Sequence, residues 1–264
     1  MKENKGGNSR IFALIMIVIV IAVVVFIFVL NPKSKPTVGT NSENEEQTSV
    51  SVETTTEVTT TTEPESTEPP VSASQEDLDF DFSVFDNCVF LGNSRVLALG
   101  NYDIAKNVYA KVGLTVSTVF TDSAEGGTVP VVDELNGKSY DKVFLMFGDN
   151  ECGWGSMDKF ISQYVKLIGA VREKCPGAEV YLLSCLPISK ECSDRNVFEY
   201  NAGNIVKING IIENIASEQG CKFIDCGSSV RGTDGYLPDN YSKDGTHLFK
   251  QFDIIWARYV AENM

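Results

Sequence analysis

The sequence predicts an open, doubly wound α/β fold for residues 79–264, and three observations carry that reading. Five short apolar runs recur along this stretch. They are continuous rather than alternating, as expected for strands of a parallel sheet covered on both faces. The segments between them place apolar residues at helical spacing, which supplies the covers.

The elements follow in order. Residues 88–91 (CVFL) read as the first strand and 108–113 (VYAKVG) as the second. Residues 141–148 (DKVFLMFG), 178–187 (AEVYLLSCLP) and 221–226 (CKFIDC) read as the third, fourth and fifth. Phe160, Tyr164, Leu167, Ile168 and Val171 form one helical stripe. Ile205, Ile208, Ile212 and Ile215 form another, with Gly220 just beyond as a stop. After His247, the residues Phe249, Phe252, Trp256 and Tyr259 mark a last helix. These stripes read as core, not as cofactor boxes. Ligands of such sheets bind beyond the carboxyl ends of the strands, so the residues just after each strand are the ones to inspect.

Ahead of this domain lies a different kind of sequence. Residues 11–30, IFALIMIVIVIAVVVFIFVL, hold no charge, proline or glycine. A helix of that length spans about 30 Å, the hydrocarbon thickness of a bilayer, and satisfies its own backbone there. A buried helix and a cleaved signal peptide fit less well; a signal's apolar region is usually shorter, and no small-x-small cleavage site follows directly. Lys2, Lys5 and Arg10 before the span nearly balance Lys33 and Lys35 after it. Residues 36–76 then contain no lysine or arginine and are rich in Thr, Ser, Glu and Pro, a composition that forms an extended tether rather than a core. The expected organisation is a cytoplasmic tail (1–10), a transmembrane helix (11–30), a disordered linker (31–78) and a domain (79–264) outside the cell, single-pass at the cell membrane. The formal net charge of -14 provides no basic footprint for nucleic acid.

Chemistry gathers at three strand ends. Gly92-Asn93-Ser94-Arg95 follows the first strand, where a serine on a strand-to-helix turn either exposes its oxygen beside free helix amides or simply caps the helix. Gly148-Asp149-Asn150-Glu151-Cys152-Gly153-Trp154 follows the third; the Asn150 amide there could face the same crevice and hold an oxyanion, or only shape a turn. Asp244-Gly245-Thr246-His247 lies near the end, holds the one histidine of the chain, and sits in a polar loop rather than an apolar stripe. Asp244 can fix the imidazole tautomer while the other ring nitrogen takes a serine proton, and Gly245 permits the tight turn between them. No GxGxxG or GxxxxGK loop is present. A single histidine without a CxxC leaves no basis for a catalytic zinc site.

With these blocks in place, the domain resembles the SGNH, or GDSL-type, esterases and lipases. FLGNSRV places Ser94 at the family nucleophile, and AKVGLTV places Gly113 at the glycine whose amide joins the oxyanion hole. FGDNE matches Gly148 and Asn150, and DGTHL matches Asp244 and His247. The resemblance implies a flavodoxin-like three-layer α/β/α sandwich with a five-stranded parallel sheet. It implies ester hydrolysis by Ser94, His247 and Asp244 without metal or organic cofactor, with Ser94, Gly113 and Asn150 forming the oxyanion hole. Two positions depart from the family: Asn93 stands where aspartate is usual, and Arg95 replaces the signature leucine. Arg95 is expected either to face solvent or to engage an anionic or sugar substrate. Trp154 is expected to offer a sugar-stacking face or to pack under its loop.

All seven cysteines fall in 79–264, an odd number that cannot pair completely within one monomer. Cys185 and Cys192 bracket a loop and could pair; an extended strand would hold Cys221 and Cys226 too far apart. Cys88 and Cys152 read as structural thiols. The leading expectation is an extracytoplasmic O-acyl, foremost acetyl, esterase acting on cell-wall or surface carbohydrate. A lysophospholipase or other lipid esterase, and a non-catalytic wall-binding domain, are the alternatives. A wide apolar groove would favour the lipid ester, and a short polar pocket the acetylated glycan.

Overall fold

Five short strands lie side by side in the order β2-β1-β3-β4-β5, all parallel, in a computed structural model that describes residues 75–264. They are β1 (Cys88–Gly92), β2 (Val108–Ala110), β3 (Lys142–Met146), β4 (Glu179–Leu183) and β5 (Lys222–Ile224). The expected membrane helix 11–30, and the linker up to residue 74, lie outside the described residues. Among the described residues, no helix is long and apolar enough to cross a membrane.

Five helices join or follow the strands: α1 (Ser94–Asn101), α2 (Met157–Lys174), α3 (Lys190–Arg195), α4 (Ala202–Gln219) and α5 (Lys250–Asn263). Successive strand residues point to opposite faces, which divides the core in two. Val89, Leu91, Val143, Leu145 and Leu182 pack under the α2 stripe and the four isoleucines of α4. Phe90, Phe144, Met146, Tyr181 and Leu183 pack on the other face under Val96 and Leu99 of α1 and Phe252, Trp256 and Val260 of α5. On that face Phe90 and Phe144 stack at 4.6 Å between centroids, and Tyr181 continues the row 4.9 Å from Phe144. The result is the three-layer sandwich with its five-stranded parallel sheet.

Several boundaries differ from the sequence reading. β2 stops at Ala110 because the chain turns at once: Leu114 N–H donates to the Lys111 carbonyl, and Gly113 takes a φ of 77° that no strand accommodates. Phe249 is not part of the last helix's core stripe; it caps α5 and is 44% exposed, while Ile254, Ala257 and Val260 complete the buried face. Regular structure begins before Asp79, with a helical turn at Gln75–Leu78 whose Glu76 reaches Arg258 on α5 at 3.5 Å.

The register decides where the chemistry goes. Gly92 pairs with Ala110 on one side and with Met146 on the other, so β1, β2 and β3 end level. The chain leaves β1 toward β2 and later returns to place β3 on the opposite side of β1, which makes the β1/β3 boundary a topological switch point. Ser94 and Asn150 follow the two strands that flank it.

Candidate active site

Asn93 caps α1, its side-chain oxygen accepting the Arg95 N–H at 2.9 Å, so Ser94 is the first residue of the helix. At that position its own N–H has no acceptor within the helix. The Ser94 Oγ lies 3.0 Å from His247 Nε2, and His247 Nδ1 lies 2.7 Å from Asp244 Oδ2. With Nδ1–H donating to the carboxylate, Nε2 is left as the acceptor for the serine proton. The other Asp244 oxygen accepts the backbone N–H of His247 at 2.7 Å and of Thr246 at 2.9 Å, and Ser242 Oγ lies 3.0 Å from it. Partial burial opposes the Asp244 charge, but the His247 ring, these two amides and the Ser242 hydroxyl outweigh it and hold the carboxyl well below the usual range. Gly245 makes the turn possible: its φ is 79°, and a Cβ there would run into Ser189 Oγ.

Asn150 sits in a single 3-10 turn after β3. One hydrogen of its amide goes to the Leu114 carbonyl at 2.9 Å, which fixes the plane of the group and leaves the second hydrogen to be donated elsewhere. Gly113 lies one residue before that carbonyl, its positive φ turning the peptide at the end of the short loop after β2. Ser94, Gly113, Asn150 and His247 all line one open cleft of about 530 Å³. Val112, Trp154, Val197 and Phe198 form its walls, Phe198 with 88% of its surface exposed. A second hollow of about 270 Å³, reaching Leu97, Asn101 and Leu248, meets the first at Ser94 and His247. An activated hydroxyl, an acid–base imidazole and an oriented amide donor around one crevice can together carry out acyl transfer.

The family model for the GDSL-like Lipase/Acylhydrolase family matches residues 93–250, more than half of the chain. The chain belongs to this acylhydrolase family. Among solved structures, a protein described as a platelet activating factor from Streptococcus pneumonia is 21% identical, with a TM-score of 0.55 over 67% of this chain and 83% of that one. A lipolytic protein of the G-D-S-L family from Desulfitobacterium hafniense is 11% identical, with a TM-score of 0.51 over 68% of this chain and 100% of that one. An acylhydrolase from Bacteroides fragilis is 17% identical, with a TM-score of 0.50 over 67% and 85%. These likenesses concern the fold. No curated protein matches the sequence significantly.

The acylhydrolase site contains groups that the sequence reading missed. Asp149 is buried and accepts the Asn93 side-chain N–H at 3.0 Å and the Tyr200 hydroxyl at 3.1 Å. Arg95 does not face solvent: it is 3% exposed and lies along the cleft beside Ser94, with Nε 3.8 Å from Asp149 Oδ1 and Nη2 near the Pro187 carbonyl and the Tyr200 hydroxyl. Burial acts against its charge, but Tyr200 and Asp149 outweigh that and shift it upward, so it stays a cation. Glu151 is fully buried and accepts the Val116 N–H at 2.8 Å and the Gly148 N–H at 3.0 Å, joining the loop after β2 to the turn after β3. Burial pushes its carboxyl up to about 7 despite those two amides. Asn150 and the FGDNE block pointed to this turn, but no local signal could show what its two acids hold.

The histidine loop rests on the segment around α3. Ser189 N–H donates to the Gly245 carbonyl at 2.9 Å, Arg195 Nη2 to the Asp244 carbonyl at 3.3 Å, and Cys192 Sγ lies 3.4 Å from Thr246 Oγ1. Cys185 and Cys192 therefore do not pair: Cys185 Sγ is turned to the Phe147 carbonyl, and all seven thiols are free. Trp154 is half-buried at the cleft wall, with the Lys159 ammonium 4.7 Å from its ring centroid, so one face of the indole is already covered. Among the described residues, no group of three or more His, Cys, Asp or Glu side chains converges as a metal site.

Proposed function

We propose that this acylhydrolase is a serine esterase that removes O-acyl, foremost acetyl, groups from cell-wall or surface carbohydrate outside the cell, with residues 11–30 anchoring it to the membrane. The unbroken chain Asp244–His247–Ser94, opening on the cleft that Asn150 also lines, carries the esterase reading. Ser94 attacks the ester carbonyl as His247 takes its proton. The Ser94 and Gly113 amides and the Asn150 side chain hold the oxyanion, and Asp244 offsets the imidazolium charge. His247 then protonates the leaving alcohol, and water repeats the sequence to release the acid. The same alignment speaks against a non-catalytic wall-binding scaffold.

The cleft is open, so a polymer can cross it, and the free face of Trp154 together with exposed Phe198 suits the apolar faces of sugar rings. Its walls are nevertheless more apolar than the short polar pocket expected for an acetylated glycan. That observation supports the second reading, a lipid or other long-acyl ester, for which Val112, Val197 and Phe198 would contact the chain.

The test uses the full chain in detergent micelles. Acetylated glycan and p-nitrophenyl esters from acetyl to decanoyl are turned over by the wild type and by Ser94→Ala. The wild type is expected to release acetate from glycan and to favour the shortest acyl chain. Ser94→Ala is expected to lose at least about a hundredfold and to show no acyl-enzyme burst. Rates that rise steadily with acyl length would replace the glycan reading with the lipid one. A folded Ser94→Ala enzyme with wild-type turnover would sink the serine mechanism.

A further inference from the structure

We infer that Asp149 is a positioning residue for catalysis, the centre of a buried clamp that ties the nucleophile turn to the oxyanion turn. This rests on the serine-esterase reading above. Asp149 immediately precedes Asn150, and the residues it holds, Asn93 and Arg95, stand on either side of Ser94. One carboxylate oxygen takes the Asn93 amide at 3.0 Å. The other takes the Tyr200 hydroxyl at 3.1 Å, with the Arg95 guanidinium 3.8 Å away. Tyr200 closes the ring by also accepting from Arg95 at 3.4 Å. Asn93, Arg95 and Asp149 are all buried, with Arg95, Asp149 and the half-buried Tyr200 lining the cleft, and the low local dielectric strengthens these contacts.

The clamp explains the two departures from the family pattern as one compensated set. With a carboxylate at 149, an aspartate at 93 would set two buried like charges about 3 Å apart, and one of them would have to stay protonated. Asn93 supplies a donor instead and still caps α1 through its oxygen. Arg95 balances the Asp149 charge from the helix side, a role leucine could not fill. Because the bonds join the residues adjacent to Ser94 and Asn150, their loss shifts the nucleophile relative to the oxyanion donor. Misplacement on the scale of 1 Å lowers rates by about a hundredfold.

The experiment exchanges donor and acceptor. Asn93→Asp is expected to lower kcat on p-nitrophenyl acetate roughly thirtyfold to a hundredfold, with KM within about threefold, since the ground state is bound elsewhere in the cleft. Asp149→Asn is expected to fall similarly, because the Arg95 cation loses its carboxylate. The double exchange Asn93→Asp/Asp149→Asn restores one carboxylate facing one amide and is expected to recover at least about tenfold over Asn93→Asp. Asn93→Ser keeps a capping oxygen but removes the amide donor, which separates the clamp from the cap should the charged variant fail to fold. It is expected to lose about threefold to tenfold in kcat with KM unchanged. A purely structural role would lower the melting temperature and leave the kcat of the folded fraction alone. The clamp is overturned if Asn93→Asp and Asn93→Ser acylate at the wild-type rate, or if the double exchange recovers nothing. Failure of the serine reading shows separately, as a Ser94→Ala protein that still turns over the ester like the wild type.

Discussion

Replacing Asn150 by alanine removes two bonds of different consequence. The first is the donor to the Leu114 carbonyl, 2.9 Å long and formed in the resting enzyme. Its loss costs about 1 kcal/mol of stability, which for a domain of this size lowers the melting temperature by roughly 2–4 °C. The second, in the mechanism proposed above, is the bond to the developing oxyanion, made only as Ser94 attacks. One such donor contributes about 3 kcal/mol to the transition state, or roughly a hundredfold or more in rate. The expected result is therefore a protein that melts slightly earlier, acylates at least about a hundred times more slowly, and binds substrate almost as before. Asn150→Asp should be no better, because an ionised carboxylate has no proton to donate and would face both the Leu114 carbonyl and the oxyanion. The assay is stopped-flow acylation by p-nitrophenyl acetate beside thermal melts of each variant. Equal acylation rates in wild type and Asn150→Ala would refute the reasoning. Activity lost only in proportion to the unfolded fraction would reduce Asn150 to a turn residue.

Other expectations test different parts of the molecule. Asp253 is buried in the first turn of α5, and burial pushes its carboxyl up to about 7 despite the Trp256 N–H it accepts and the nearby Arg95 cation. A folded value above the unfolded one means that its contribution to stability is complete below about pH 4 and is lost as pH rises through 7. Asp253→Asn removes that titration. Its melting temperature should therefore gain on the wild type between pH 5 and pH 8, by an amount equivalent to about 3 kcal/mol. Glu151, also raised to about 7, is common to both proteins and cancels in the difference. A constant gap across that range would contradict the Asp253 assignment. The thiols give a simpler check: denatured, unreduced protein should titrate with all seven cysteines, while the native protein should react fastest at Cys221, the one cysteine not buried. A count below seven would reveal a disulfide.

The parts legible in the sequence share a physical cause. The strands announced themselves because both faces of the sheet are buried, leaving runs such as VFLM with no polar member to blur them. Ser94 and Asn150 stood out because each follows a strand, and His247 because the one histidine of the chain sits in a polar loop three residues after Asp244. The solvent-facing reading of Arg95 failed because its partners are distant in sequence; Pro187 lies 92 residues away and Tyr200 105. The same distance hid Asp149, whose bond to Asn93 spans 56 residues. Strand ends were set too late after β2 and β4 because hydropathy continues into the following loops. After β2 the backbone turns into the loop whose Val112 and Gly113 line the cleft.

The docking of the histidine loop on the segment around α3 ties together two properties of the enzyme. That segment holds the base in place through Ser189, Cys192 and Arg195, and a few residues later it supplies Val197 and Phe198 to the cleft wall. A change in its length would alter which esters fit and, at the same time, move the support beneath His247. Point substitutions at the tip, at Val197 and Phe198, are free of that penalty. Exchanging side chains on this loop at fixed length is therefore the change that alters the cleft wall without moving the support beneath His247.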